Sequence, residues 1–208
     1  LPIGAYVIRA FDSKGTYGLM VANTYDADGK YMASKSASVT AKMEGYNVGK
    51  TADDKFVSRG QRVNFTVTTQ MAPKTNEDGD TLTQFKVVDT STGLKADSFT
   101  LDSVKIAGTK ANVDASKATA VSNNDGTVTY TVDLSDLIET TESGATVEVK
   151  YSAVVENDHT YNNSATASAE TVNYEPGTVN GYEGNVTLKK VDTNRNVLNG
   201  AEFQLLKG

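Results

Sequence analysis

The 208-residue chain contains no cysteine, which excludes disulfides and thiol chemistry together. It contains a single histidine, His159, too little for a histidine-rich metal site or a Ser-His-Asp triad. No apolar run approaches the roughly 20 residues needed to cross a bilayer. No charged-then-apolar leader opens the chain, which fits a mature or trimmed fragment as well as a cytosolic protein. A formal net charge of −6 argues against a nucleic-acid groove. Helical periodicity is scarce, and neither a strong paired-carboxylate motif nor a phosphate-binding glycine loop is visible. The expectation is a protein that is not an enzyme and needs no cofactor or metal.

Period-two alternation is abundant. Strands are expected at 6–11, 17–24 and 36–43, then at 62–69, 84–89, 99–106, 127–134, 146–155 and 161–169. A short helical turn fits 133–138. Many short strands punctuated by turn residues predict an all-β chain of immunoglobulin-like β-sandwich domains in tandem. Residues 1–44 read as the C-terminal part of a preceding β domain, and 45–175 as a complete sandwich. The Gly/Tyr/Asn-rich stretch 176–184 reads as a linker, and 185–208 as the start of a further domain.

Three polar residues fall on apolar strand faces. Lys50 follows Tyr46 and Val48, Asp89 follows Phe85 and Val87, and Asn163 lies between Tyr161 and Ala165. Alternation selects Lys50 over Lys42 and Asn163 over Asn162, provided that no bulge shifts the register. Burial lowers a lysine pKa and raises an aspartate pKa, so a neutral amine becomes available as a nucleophile. A protonated Asp89 would hydrogen-bond the Asn163 amide oxygen, polarise its carbon and shuttle a proton. Attack by Lys50 would then form an amide and release ammonia, with proximity in a rigid core replacing a separate enzyme. Lys190 repeats the theme, in line with Val186 and Leu188 on the inward face of a strand.

These segments resemble the isopeptide-forming domain of Gram-positive fimbrial (pilin) subunits. The resemblance is carried by Tyr46 to Lys50, Val57 to Val67, Val88-Asp89-Thr90 with Gly93-Leu94, and Asn162 to Ala167. It implies a bond between Lys50 and Asn163 assisted by Asp89. The end of the chain resembles the opening of a collagen-adhesin B-type domain, with Lys190 of Lys190-Val191-Asp192 as a bonding lysine whose partner would lie beyond Gly208. The polymerisation motif and the C-terminal sorting signal of pilins are not visible. Ala72-Pro73-Lys74 is a faint echo of the former.

The resemblance implies a cell-wall-anchored extracellular subunit linked by sortase to other pilin subunits. Host extracellular matrix or glycan would be the partner if the chain is instead an adhesin module. An accessory domain of a secreted enzyme is a third reading. A Lys50–Asn163 bond would close a long loop and add about 4 kcal/mol by analogy with disulfides. Asp192 to Asn196 mimics half a calcium loop but lacks its Gly and Glu. A hairpin turn accounts for it better, as a solvated loop does for Glu77 to Asp80.

Overall fold

The computed structural model describes residues 4–8, 10, 15–17, 20–26, 28–32, 39–41, 43–76, 78–156, 160–182, 189–200 and 202. Four short strands come first: β1 (Ala5–Ile8), β2 (Gly15–Tyr17), β3 (Met20–Asn23) and β4 (Met43–Gly45). They form two antiparallel pairs, β1 with β3 and β2 with β4. Ten further strands follow: β5 (Gly49–Ala52), β6 (Arg62–Gln70), β7 (Lys86–Thr92), β8 (Thr100–Ile106), β9 (Thr109–Ala111), β10 (Ala118–Ser122), β11 (Val128–Asp133), β12 (Thr146–Val154), β13 (Thr160–Ser168) and β14 (Gly177–Tyr182).

These ten make two five-stranded sheets, ordered β5-β6-β12-β8-β9 and β10-β11-β7-β13-β14. Inward side chains from both sheets build one core. Val63, Phe65 and Val147 come from the first sheet, and Val87, Val132 and Ala165 from the second, all nearly or fully out of solvent. The alternating sequences of β6 and β12 explain their placement, since every second residue must face the same way. The predicted sandwich is therefore the observed one, and the short helical turn is a 3-10 turn at Ser135–Leu137.

One boundary differs. The stretch read as a linker, 176–184, supplies β14, which pairs with β13 from Thr160↔Tyr182 to Ala165↔Gly177. Its inward position 181 is a glycine, so the strand carries no apolar signal there. Glycine is required by space: a Cβ at Gly181 would stand 2.0 Å from Tyr161 Cε1, and one at Gly177 would stand 2.2 Å from the Val48 carbonyl oxygen. β9 and β10 were not legible either. In β10 every residue after the first is exposed, so no burial contrast marks an edge strand of this kind.

The calcium-like segment is a hairpin turn. Val191 bridges Val197, and Asp192 Oδ1 accepts from the backbone N–H groups of Asn194 at 2.9 Å and Asn196 at 2.8 Å. The same turn recurs at Asp26, whose Oδ1 accepts from Asp28 and Lys30, and at Asn76, whose Oδ1 accepts from Asp80. In each the oxygen is committed to the backbone, which is how Asx residues shape turns.

Candidate functional site

Lys50, Asp89 and Asn163 come from three strands in two sheets and meet inside the sandwich. Asp89 and Asn163 lie on neighbouring strands, where β7 and β13 pair Asp89 with Ala165 and Ser91 with Asn163. That register makes them diagonal neighbours on one face. Lys50 reaches them from β5 of the facing sheet, where it pairs with Val67 of β6. Asn162 points the other way, exposed, and bonds Asn180 at 2.6 Å, so β13 delivers Asn163 inward as alternation requires.

Lys50 Nζ forms an ion pair with Asp89 Oδ1, with side-chain exposures of 0% and 2%. Nζ also donates to the Tyr151 hydroxyl at 2.7 Å. The Asn163 amide is oriented by its neighbours. With Nδ2 2.9 Å from Asp89 Oδ1, and Oδ1 3.2 Å from Lys50 Nζ and 2.6 Å from the Tyr151 hydroxyl, every contact joins a donor to an acceptor. The ammonium then has one acceptor for each of its three N–H groups. The rings of Phe65 and Tyr151 add cation–π contacts, their centroids 5.3 and 5.1 Å from Nζ.

Burial pushes the Lys50 ammonium down to about 8, against the opposing pull of Asp89. An amine held there is far more often neutral at physiological pH than a surface lysine. Burial, then the negative charge of Asp89, pushes the Tyr151 hydroxyl well above the ordinary tyrosine range, so it stays protonated. The arrangement thus places a readily deprotonated amine at contact distance from a carboxamide, beside a carboxylate that can take and return a proton. Reaction from such a pose has the character of an intramolecular step.

Outside this group, among the described residues, the buried Tyr130 hydroxyl has no hydrogen-bond partner, whereas the buried Thr69, Ser91 and Ser152 do. Thr69 donates to the Asn47 carbonyl, Ser91 to the Val128 carbonyl, and Ser152 accepts from Arg62. Among the described residues no three His, Cys, Asp or Glu converge as metal ligands.

Two expectations need correction. Asp89 faces the amide nitrogen of Asn163, and the groups facing its oxygen are the Tyr151 hydroxyl and Lys50 Nζ. Sequence reasoning missed Tyr151 because an inward tyrosine on an alternating strand has the look of ordinary core. Lys190 was expected on an inward face but is exposed. It lies at the mouth of the Val191–Val197 hairpin, where its carbonyl accepts from the Leu198 N–H at 3.0 Å, and no sheet covers it among the described residues. Lys42, His159, Val186 and Leu188 lie outside the described residues.

No protein-family model and no curated protein matches the chain. Solved structures do. The group B streptococcus pilus 2b backbone protein is 22% identical with a TM-score of 0.50, over 72% of this chain and 62% of that one. The full-length major pilin SpaD from Corynebacterium diphtheriae is 15% identical with a TM-score of 0.45, over 86% and 46%. The N-terminal domain of the Streptococcus gordonii adhesin Sgo0707 is 12% identical with a TM-score of 0.46, over 66% and 32%. The chain thus spans less than two thirds of each of these proteins. By its fold, the chain is a β-sandwich protein of the kind seen in a Gram-positive pilus backbone subunit.

Proposed function

We propose that the chain belongs to a structural subunit of a cell-surface pilus of a Gram-positive bacterium, stabilised by an intramolecular amide between Lys50 and Asn163 that Asp89 promotes. The observation that carries this reading is the buried meeting of Lys50, Asp89 and Asn163 across the two sheets. A buried ion pair of this kind is weak as a stabilising device, because desolvation offsets the attraction. Conversion to an amide removes the Lys50 charge and the cost of desolvating it. The cross-linking unit runs from about residue 45 through β14, with other pilin subunits as its partners and the cell surface as its place. The chain's role is mechanical rather than enzymatic, the bond being made once per molecule. Lys190, exposed here, is assigned no bond.

Intact-mass spectrometry of the folded protein tests the reading. The expected mass is that of the sequence less one ammonia, and Asp89→Ala is expected to keep the full mass. A wild-type mass equal to the sequence overturns it.

A further inference from the structure

We propose that Tyr151 is a catalytic residue of the cross-linking step, its hydroxyl holding the negative charge that develops on Asn163 Oδ1 while Asp89 carries the proton. The proposal rests on the Lys50–Asn163 reading above and divides the labour within it.

Asn163 Oδ1 has two donors in reach, Lys50 Nζ at 3.2 Å and the Tyr151 hydroxyl at 2.6 Å. Nζ is consumed as the nucleophile. Among the described residues Tyr151 is then the donor left facing the oxygen, because Asp89 Oδ1 sits 2.9 Å from the amide nitrogen instead. Lys50 Nζ passes a proton to Asp89 and its freed lone pair attacks Asn163 Cγ. The carbonyl π pair moves onto Oδ1, where the Tyr151 O–H donates to it. The pair returns, the Cγ–Nδ2 bond breaks, and Nδ2 leaves as ammonia with the proton that Asp89 returns. Nζ gives up its second proton through Asp89 to solvent or to the departing ammonia. One amide bond forms, one breaks, and nothing is oxidised or reduced.

The hydroxyl is held in place before the reaction. The Tyr151 ring stacks on Phe65 at 5.1 Å and Phe99 at 5.7 Å and meets Tyr130 at 4.9 Å. The β12–β8 register slips between Lys150 and Tyr151, pairing Lys150 with Ser103 but Tyr151 with Leu101. The extra residue is Asp102 of β8, while β12 stays in regular register with β6, Lys150 opposite Thr66 and Tyr151 opposite Phe65, so Tyr151 is held on its inward face. A fixed donor aimed at developing charge in a dry site needs no reorganisation during reaction. Its high pKa, raised by burial, keeps it a donor throughout.

The test follows ammonia loss over time by intact mass, on chains synthesised and kept in denaturant so that they start at full mass and then diluted into folding buffer, for wild type and Tyr151→Phe. The phenylalanine keeps the ring packing and removes the donor. The expected result is formation slowed about 100- to 1,000-fold, with an unchanged circular dichroism spectrum. Formation at the wild-type rate in a folded Tyr151→Phe overturns the role of Tyr151 and leaves the cross-link itself standing. No ammonia loss in wild type overturns both. If Tyr151→Phe does not fold, a ring-fluorinated tyrosine at position 151 keeps the shape and strengthens the donor. Faster formation supports the role, and an unchanged rate contradicts it.

Discussion

At the scale of single residues the site separates two effects that a cross-link would otherwise merge, the covalent bond and the buried charge. Asn163→Ala abolishes the bond but leaves Lys50 paired with Asp89. Asp89→Ala abolishes the bond and also leaves Lys50 buried without its anion, which costs about 3–5 kcal/mol in comparable settings. Both variants are therefore expected to keep the full mass, with Asp89→Ala melting clearly below Asn163→Ala in calorimetry. Equal melting temperatures would mean that the ion pair contributes nothing in the unlinked state. Lys50→Arg keeps the positive charge but cannot yield a neutral nucleophile, so it too should retain its ammonia.

The pH dependence of formation follows from the proton count. The reaction needs one proton shared between Lys50 and Asp89, first leaving Nζ and then delivered to the departing nitrogen. Lys50, lowered to about 8, is protonated below that pH, and the pair holds its proton. Above it the pair starts without that proton, and Asp89 has none to deliver until Nζ sheds one after attack. The other groups facing the pair, Tyr151 and the Asn163 amide, stay neutral across this range. First folding of unlinked chains, sampled by mass, should show a formation rate that falls as pH rises through about 8. A rate that climbs through the same range would point to simple attack by free amine with no role for the Asp89 proton.

At the scale of strands, alternation exposed Lys50, Asp89 and Asn163 because side chains alternate whatever their chemistry. Tyr46, Val48 and Lys50 are all buried, with Asn47 and Gly49 exposed between them, so the rule passes through the lysine unchanged. It failed where a strand has little side chain to show. β14 puts Gly181 inward, and its fit against Tyr161 is a property of the neighbour rather than of the strand. Tyr151 failed differently: an oxygen's partner is set by tertiary approach, and one hydroxyl on a core ring leaves no periodic trace. The side of the Asn163 amide that Asp89 faces is likewise decided only when the two sheets close.

The glycine contacts give an element-level prediction. Gly181→Ala drives a methyl into the Tyr161 ring, so β14 must shift off β13. Overpacking of this kind costs about 1–3 kcal/mol, readable as a lower urea midpoint in an Asn163→Ala background that removes the covalent contribution. Thr178→Ala, on the exposed face of the same strand, should change stability by under about 0.5 kcal/mol and barely move the midpoint. Similar midpoints for the two would mean that β14 is not held against Tyr161.

At the scale of the molecule, the proposed Lys50–Asn163 link would tie an edge strand of one sheet to an inner strand of the other. Pulling on the two ends would then load the amide, and the chain between positions 50 and 163 would be shielded from force. Single-molecule extension of the linked protein should release roughly 400 Å less contour than the Asn163→Ala variant, at about 3.5 Å per residue. Closing that loop should also raise stability by about 4 kcal/mol on the chain-entropy model, a melting-temperature difference of roughly 10–20 °C for a sandwich of this size. Both effects are consequences of the proposed cross-link and are absent without it.

The cross-link itself is tested most directly by digesting the folded, denatured and washed protein with a protease and sequencing the fragments by tandem mass spectrometry. A branched peptide is expected that joins the Lys50 segment to the Asn163 segment through Nζ and Cγ, lighter by one ammonia than its two arms. Recovery of those two segments as separate peptides of full mass, with Asn163 still a carboxamide, would contradict it.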